Sequence, residues 1–278
     1  MTVLITGATS GIGLATASLL ARQGRDVALV GRSEQTTAAA AATVRSNGAT
    51  AGVSWYATDL AYPARVIALA RRVASDHHRL DGLILCAAVS SPDHAATDGI
   101  DTTLAVNHLA PVLLTRLLDE HVAGGRIVQL ASSRHGSAGP FDPAVFDPAA
   151  PTSGIRRYEA TKLLNLLHAS ARLRHSHVTP AEMIDPGFVR TGLGRHARGV
   201  LRLLLTVTRP FQTSPEIPAR LIADRLAASD FQDGAYLGPK GPAKKAANAR
   251  DAAAASRAWE WTDDLLTPWT GNQQKGMS

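Results

Sequence analysis

The stretch "TVLITGATSGIGLATASLLARQG", residues 2–24, runs from an apolar segment through a glycine-rich turn into a helical pattern that Gly24 closes. A short apolar run bounded by turn residues reads as a buried strand, and a glycine just past a periodic segment reads as a helix C-cap. The same order then repeats. "DVALVG" (26–31) leads into "EQTTAAAAATVRSNG" (34–48), and "AGVSWYATDL" (51–60) into "YPARVIALARRVASDHH" (62–78). "LDGLILCAAV" (80–89) supplies a fourth strand and precedes a helical region from about Asp98 to His121, in which Pro111 predicts a bend.

"GRIVQLASS" (125–133) resumes the strand pattern, "IRRYEATKLLNLLHASARLRHS" (155–176) the helical one, and "VTPAEMIDPG" (178–187) is a further strand that tolerates Pro180 near its start. Apolar strands alternating with amphipathic helices predict a parallel sheet covered on both faces. The expected fold class is therefore α/β, a doubly wound, Rossmann-like parallel sheet. No linker divides the chain, so residues 1–268 read as a single domain. Residues 134–154 form an insertion at the rim, and 192–215 a lid region containing the amphipathic "RHARGVLR" (195–202). Residues 269–278 read as a fraying tail.

Apolar residues make up 45% and charged residues 19% of the 278, values that suit a globular protein and single out no activity. No run approaches the length of a membrane-spanning helix, and the N-terminus carries neither a basic leader nor a cleavage signal, so the expectation is a cytoplasmic protein with no integral span. The formal charge of +6 helps an anionic ligand, but the basic residues are scattered and predict no nucleic-acid binding. Lys240, Lys244 and Lys245 read as a solvated face. The single cysteine, Cys86, forms no internal disulfide, and dispersed histidines offer no metal motif.

The glycine turn follows the first strand and opens the first helix, which is the order a dinucleotide site requires. Gly7 permits a tight turn, Gly11 lets backbone approach a pyrophosphate, and Gly13 permits close contact between helix and strand. The helix N-terminus adds unsatisfied N–H groups and a favourable dipole. At the end of the second strand, "VGRS" (30–33) has Gly31 where an acid would accept ribose hydroxyls, while Arg32 suits a 2′-phosphate. NADPH (NADP+) is thus expected over NADH. Asp59, after the third strand, is placed for an adenine-edge hydrogen bond.

"YEATK" (158–162) sets Tyr158 and Lys162 four positions apart, on one helix face. A nearby ammonium favours the phenolate, so Lys162 is expected to lower the Tyr158 pKa and also to hold a ribose hydroxyl. Ser132 suits a developing alkoxide, and Asn107 a water or backbone group in a proton relay. Taken one by one, each has a plain alternative: packed tyrosine, solubilising lysine, loop serine.

Together these motifs resemble the short-chain dehydrogenase/reductase superfamily from Thr2 to about Trp261: "TGATSGIG" (6–13), Asp59 after the third strand, "VNHLAPVLLT" (106–115), Ser132 and the Tyr158/Lys162 pair. The long serine-to-tyrosine interval and the late "ARDAAAASRAWEWTDDLL" (249–266) resemble the retinol-dehydrogenase-like branch. The resemblance implies a catalytic set of Asn107, Ser132, Tyr158 and Lys162. It further implies dinucleotide contacts from Gly7, Thr9, Ser10, Gly11, Ile12, Gly13, Arg32, Asp59, Leu60, Ala87 and Ala88. "DPGFVRT" (185–191) adds Pro186, Gly187, Val189 and Thr191. The chain departs from the family at Leu85–Ala88, where two amides and a glycine are usual, and at Ala131, where a first serine is usual; Ser133 stands as a competitor to Ser132.

The implied activity is NADP(H)-linked interconversion of a hydrophobic ketone or aldehyde with its alcohol. "LRLLLTVTRPF" (201–211), Trp259 and Trp261 are expected to wall the substrate pocket, and His135, Phe141 and Phe146 either border its mouth or pin the loop. A rival reading is a dinucleotide-binding regulatory protein without turnover. Monomer and homodimer both stay open.

Overall fold

A computed structural model describes residues 2–90, 96–97, 99–189 and 213–270. Eight strands form one sheet: β1 (Thr2–Thr6), β2 (Asp26–Gly31), β3 (Val53–Ala57), β4 (Gly82–Leu85), β5 (Arg126–Leu130), β6 (Ala181–Ile184), β7 (Tyr236–Gly238) and β8 (Gly241–Pro242). Their order is β8-β7-β6-β5-β4-β1-β2-β3, parallel throughout except for the β7–β8 pair. The direction of winding reverses between β1 and β4, which pair in register from Val3↔Gly82 to Thr6↔Leu85. In doubly wound sheets a ligand crevice opens at that reversal, beyond the strands' C-terminal ends.

The helices are α1 (Gly11–Arg22), α2 (Glu34–Ser46), α3 (Pro63–Asp76), α4 (Ala110–Leu118), α5 (Gly154–Arg172), α6 (Glu216–Ala227) and α7 (Ala252–Thr270). Successive strand residues point to opposite faces, so each strand feeds two cores. Val3 and Ile5 join Leu20 of α1, Val44 of α2 and Ile222 of α6, while Leu4 joins Leu69 of α3, Leu113 of α4, Leu164 of α5 and Leu266 of α7. Each buried leucine or isoleucine contributes about 1.5–3 kcal/mol. The doubly wound single domain expected from the sequence is the fold.

The helical region expected from Asp98 is more irregular. Ala96–Thr97 pairs with Ile100–Asp101, Asp101 caps a turn at Thr102–Leu104 by accepting from Leu104 N at 2.9 Å, and Ala105–Leu109 makes a π turn before α4. Its cause is in the sequence. Pro111 has no N–H to offer the carbonyl of Asn107 four residues earlier, and the Ala110 N–H reaches back five residues to the Ala105 carbonyl.

Several expectations change. Helix α7 continues through Pro268 to Thr270, with Leu266 buried and Trp269 packed on the core; residues 271–278 lie outside the described residues. So do residues 190–212, which hold Thr191 and most of the expected lid 192–215, although Thr213 bridges to Val189. Trp261 stacks on Phe146 at 5.8 Å and meets Phe141 edge-on at 5.9 Å, so these rings pin the rim insertion to α7. Trp259 stacks on His168 and His175. The tryptophans thus pack against these rings, while 201–211, the other wall expected, lies outside the described residues. Lys245 is half-buried and donates to Ser170 Oγ at 3.2 Å, so it leaves the expected solvated face. Strands β7 and β8 and helix α6 had no clear periodic signal, since the strands are three and two residues long.

Candidate active site

Six of the expected site residues sit just past a strand's C-terminal end: Gly7 after β1, Arg32 after β2, Asp59 after β3, Ala87 after β4, Ser132 after β5 and Pro186 after β6. Gly7 has φ +66° and Gly11 φ +56°, backbone that side chains rarely adopt. A Cβ on Gly13 would stand 2.5 Å from the Gly7 carbonyl oxygen, so glycine there lets α1 close onto the turn. Ser10 precedes α1 without capping it through its side chain, which leaves its hydroxyl and the first helical N–H groups facing the turn. This cradle fits a pyrophosphate. Ile12 and Leu60 are buried in the two cores, so only their backbone is offered to a ligand.

The altered Leu85–Ala88 stretch is braced by a residue the sequence reading had left within the glycine motif. Thr6 Oγ1 accepts from Cys86 N at 3.1 Å and Ala87 N at 3.2 Å and donates to the Ile84 carbonyl. A Cβ on Gly7 would meet Ala87 Cα at 2.8 Å, which shows how closely the two turns pack. Ala88 follows, partly exposed in the same crevice. Cys86 is partly exposed as a residue and packs against the core, and burial pushes its thiol up to about 12, so it stays protonated.

Tyr158 lies in the second turn of α5, with its phenol beside the Ser132 side chain, close enough for that group to favour the phenolate. Ser133 is exposed and plays no part in that contact. Lys162, one turn on and buried, donates from Nζ to the Leu130 carbonyl at 2.9 Å, with Nζ 5.5 Å from the Tyr158 ring centroid. Burial pushes Lys162 down to about 8, partly opposed by Cys86 and Asp185. That shift corresponds to about 3 kcal/mol against the ammonium. The expected lowering of the Tyr158 pKa by Lys162 is reversed. Burial raises it, the nearby Ser132 side chain opposes that, the Asp185 carboxylate adds to the rise and the Arg134 guanidinium lowers it. Dehydrating a phenolate costs more here than Ser132 and the Arg134 guanidinium return.

Asn107 stands behind this group. Its Oδ1 accepts from Val89 N at 2.7 Å, and its Nδ2 donates to the Val89 carbonyl at 2.9 Å and to Thr161 Oγ1 at 3.2 Å. The side chain thereby ties the loop after β4 to α5. Its backbone carbonyl, released by Pro111, accepts from Asn165 Nδ2 at 2.9 Å. That bond orients Asn165 Oδ1 toward His108 Nδ1, 2.8 Å away, so Nδ1 carries the proton, while Nε2 lies 2.9 Å from Thr262 Oγ1, which also reaches the Ala258 carbonyl at 2.7 Å. Neither His108 nor Asn165 was singled out from sequence; their only signal is a polar residue on an otherwise apolar helix face.

Two further groups border the site. Asp185 is buried, accepts from Gly187 N at 2.9 Å and takes the Tyr236 hydroxyl at 3.1 Å. His135 is also buried: Nδ1–H donates to the Ser132 carbonyl at 2.7 Å and Nε2 accepts from Ala246 N at 3.0 Å. Gly187 has φ +74° beside Pro186, and Val189 leads to the Thr213 bridge. Among the described residues no helix is long and apolar enough to cross a membrane, and no three His, Cys, Asp or Glu side chains group as a metal site.

The chain and its fold have counterparts among known proteins. The short chain dehydrogenase family profile matches residues 1–144. Over 263 residues the chain is 33% identical to a Streptomyces sp. (strain C5) protein named "Putative daunorubicin C-13 ketoreductase DnrU", covering 93% of this chain and 90% of that one. It is 34% identical to human retinol dehydrogenase 13 over 93% of this chain and 82% of that protein. A solved structure of an uncharacterized protein from Mycobacterium Paratuberculosis superposes with a TM-score of 0.76 at 26% identity, covering 96% and 93% of the two chains. The chain belongs to the short-chain dehydrogenase/reductase superfamily, in its retinol-dehydrogenase-like branch.

Proposed function

We propose that this protein reduces a hydrophobic ketone or aldehyde to the alcohol with NADPH, reversibly. The observation that carries the reading is the juxtaposition of the Ser132 side chain, the Tyr158 phenol and the buried Lys162, whose Nζ lies 5.5 Å from the Tyr158 ring centroid. A bound nicotinamide dinucleotide would supply the hydride. A substrate carbonyl oxygen brought against Ser132 Oγ and Tyr158 Oη accepts from both, and this stabilises charge as it builds on oxygen. The Tyr158 proton then passes to that oxygen. Because burial raises the phenol's pKa, the proton is on Tyr158 at neutral pH.

Lys162 spends one N–H on the Leu130 carbonyl and keeps two for the ribose hydroxyls. Asn107 is a positioning residue: it fixes the loop after β4 and presents a carbonyl whose second lone pair suits a relay water. Gly7, Thr9, Ser10, Gly11 and Gly13 hold the pyrophosphate, while Arg32 reads the 2′-phosphate. The named activities of the ketoreductase and retinol dehydrogenase relatives support a carbonyl–alcohol reaction on an apolar substrate.

The test is NADPH consumption with a panel of apolar ketones and aldehydes. Turnover that falls by about 10²–10⁴ in Tyr158→Phe, with NADPH affinity kept, supports the assignment. Tight NADPH binding without turnover on any carbonyl makes the chain a dinucleotide-binding regulator instead.

A further inference from the structure

Beyond the C-terminal ends of β2 and β3 lies a cavity of about 280 Å³, bounded on its far side by α3. Arg32, Tyr56, Asp59, Arg65, Leu69 and Arg72 line it. Residues 65, 69 and 72 fall on one face of α3, so the helix presents two guanidiniums to the space where Arg32 stands. Those two differ in what already holds them. Arg72 lies 3.7 Å from the Asp76 carboxylate and over the Tyr56 ring at 5.2 Å, and the Tyr56 hydroxyl itself donates to Asp76 at 2.9 Å. Arg65 rests on the Tyr62 ring at 4.2 Å. Among the described residues neither Arg32 nor Arg65 makes an ion pair.

The cavity's own carboxylate, Asp59, is turned to its loop, where Oδ1 accepts from Ala61 N at 3.1 Å. Two uncompensated guanidiniums therefore flank a space whose wall includes the apolar Leu69 and Ala68. A phosphate monoester carries nearly two charges at neutral pH and offers three acceptor oxygens. Two arginines satisfy such a group better than one, because each forms charge-assisted, fork-shaped hydrogen bonds.

We propose that Arg65 is a second ligand of the 2′-phosphate, sharing it with Arg32 across this cavity, while Arg72 stays with Asp76 and forms the wall. This rests on the NADPH reading given above. It makes α3, and not the β2 turn alone, a determinant of cofactor choice.

The test is calorimetric titration of the full chain with 2′,5′-ADP, 5′-ADP and inorganic phosphate, in the native protein and in Arg32→Ala, Arg65→Ala, Arg65→Lys and Arg72→Ala. Arg65→Ala is expected to weaken 2′,5′-ADP about tenfold and 5′-ADP less than about twofold, with partial recovery in Arg65→Lys and little change in Arg72→Ala. If Arg32→Ala loses 2′,5′-ADP while Arg65→Ala keeps it, Arg32 reads the phosphate alone and the inference falls. Equal weakening of both nucleotides by Arg65→Ala makes it an adenosine contact and also overturns the assignment. Tight inorganic phosphate binding lost in Arg65→Ala marks a free-anion site and does the same. If Arg32→Ala changes nothing either, the NADPH reading itself fails.

Discussion

Asn165 Nδ2 donates to the backbone carbonyl of Asn107 at 2.9 Å, filling from α5 the hydrogen bond that Pro111 withholds along its own helix. A gap in one helix thus becomes a tie to the helix that carries Tyr158 and Lys162. Asn165→Leu strands the carbonyl and the His108 ring together. It should cost about 1–3 kcal/mol of stability and lower turnover with little effect on NADPH affinity, read by urea unfolding and by kcat against cofactor Kd.

The proton-bearing pair sets a pH limit. Burial pushes Lys162 down to about 8 and keeps Tyr158 in its protonated form. The proposed reduction needs both protonated, so kcat/KM for reduction should be level through neutral pH and fall as pH rises through about 8. The pH profile of kcat/KM for the free enzyme measures this directly. A basic limb far above that value removes Lys162 from the proton chemistry.

Acid should unfold the protein through His108. Burial pushes its pKa down to about 4, against about 6.5 for an exposed histidine. The unfolded chain therefore binds the proton first. Its contribution to stability is complete above about pH 6.5 and is lost as pH falls toward about 4, up to about 3 kcal/mol. His108→Gln should flatten the fall in urea midpoint across that window; an unchanged slope would assign the acid sensitivity elsewhere.

Arg157 and Asp101 form an ion pair at 3.2 Å with both side chains buried, joining the start of α5 to the turn that leads into the Asn107 segment. Arg157 also donates to the Thr152 carbonyl at 2.6 Å. Arg157→Ala leaves a carboxylate in the interior and should cost about 3–5 kcal/mol, whereas removing both charges in Arg157→Met with Asp101→Asn should cost less. Thermal and urea unfolding of the single and double variants separate the two cases.

Gly31→Asp is the obvious substitution for turning an NADPH site toward NADH, and the structure predicts that it fails. A Cβ at Gly31 would stand 2.3 Å from both Thr37 Oγ1 and Thr9 Cγ2, and Thr37 is buried with its hydroxyl on the Ser33 carbonyl. The variant should melt lower and bind both cofactors more weakly. Pairing it with Thr37→Ala should restore stability in part, as a thermal shift would show.

Residues 2–24 were readable because strand, turn and helix are each local. The apolar run, the positive-φ demand at Gly7 and Gly11 and the C-cap at Gly24 depend on neighbours a few positions away. The same holds for the spacing of Tyr158 and Lys162. Strands β7 and β8 escaped because two- and three-residue strands carry no period, and α7 ran past Pro268 because packing of Leu266 and Trp269 outweighed a local breaker.

The sequence by itself determined the alternation of strands and helices, the glycine cradle and which side chains stand at the strand ends, since these follow from local backbone chemistry. Only the tertiary structure decided the sign of the Tyr158 shift, the role of Thr6 in bracing Cys86 and Ala87, and the bond from Asn165 to Asn107. Dehydration and hydrogen bonding between positions some 60 to 80 residues apart in the chain depend on what the fold packs together, and no local pattern encodes that.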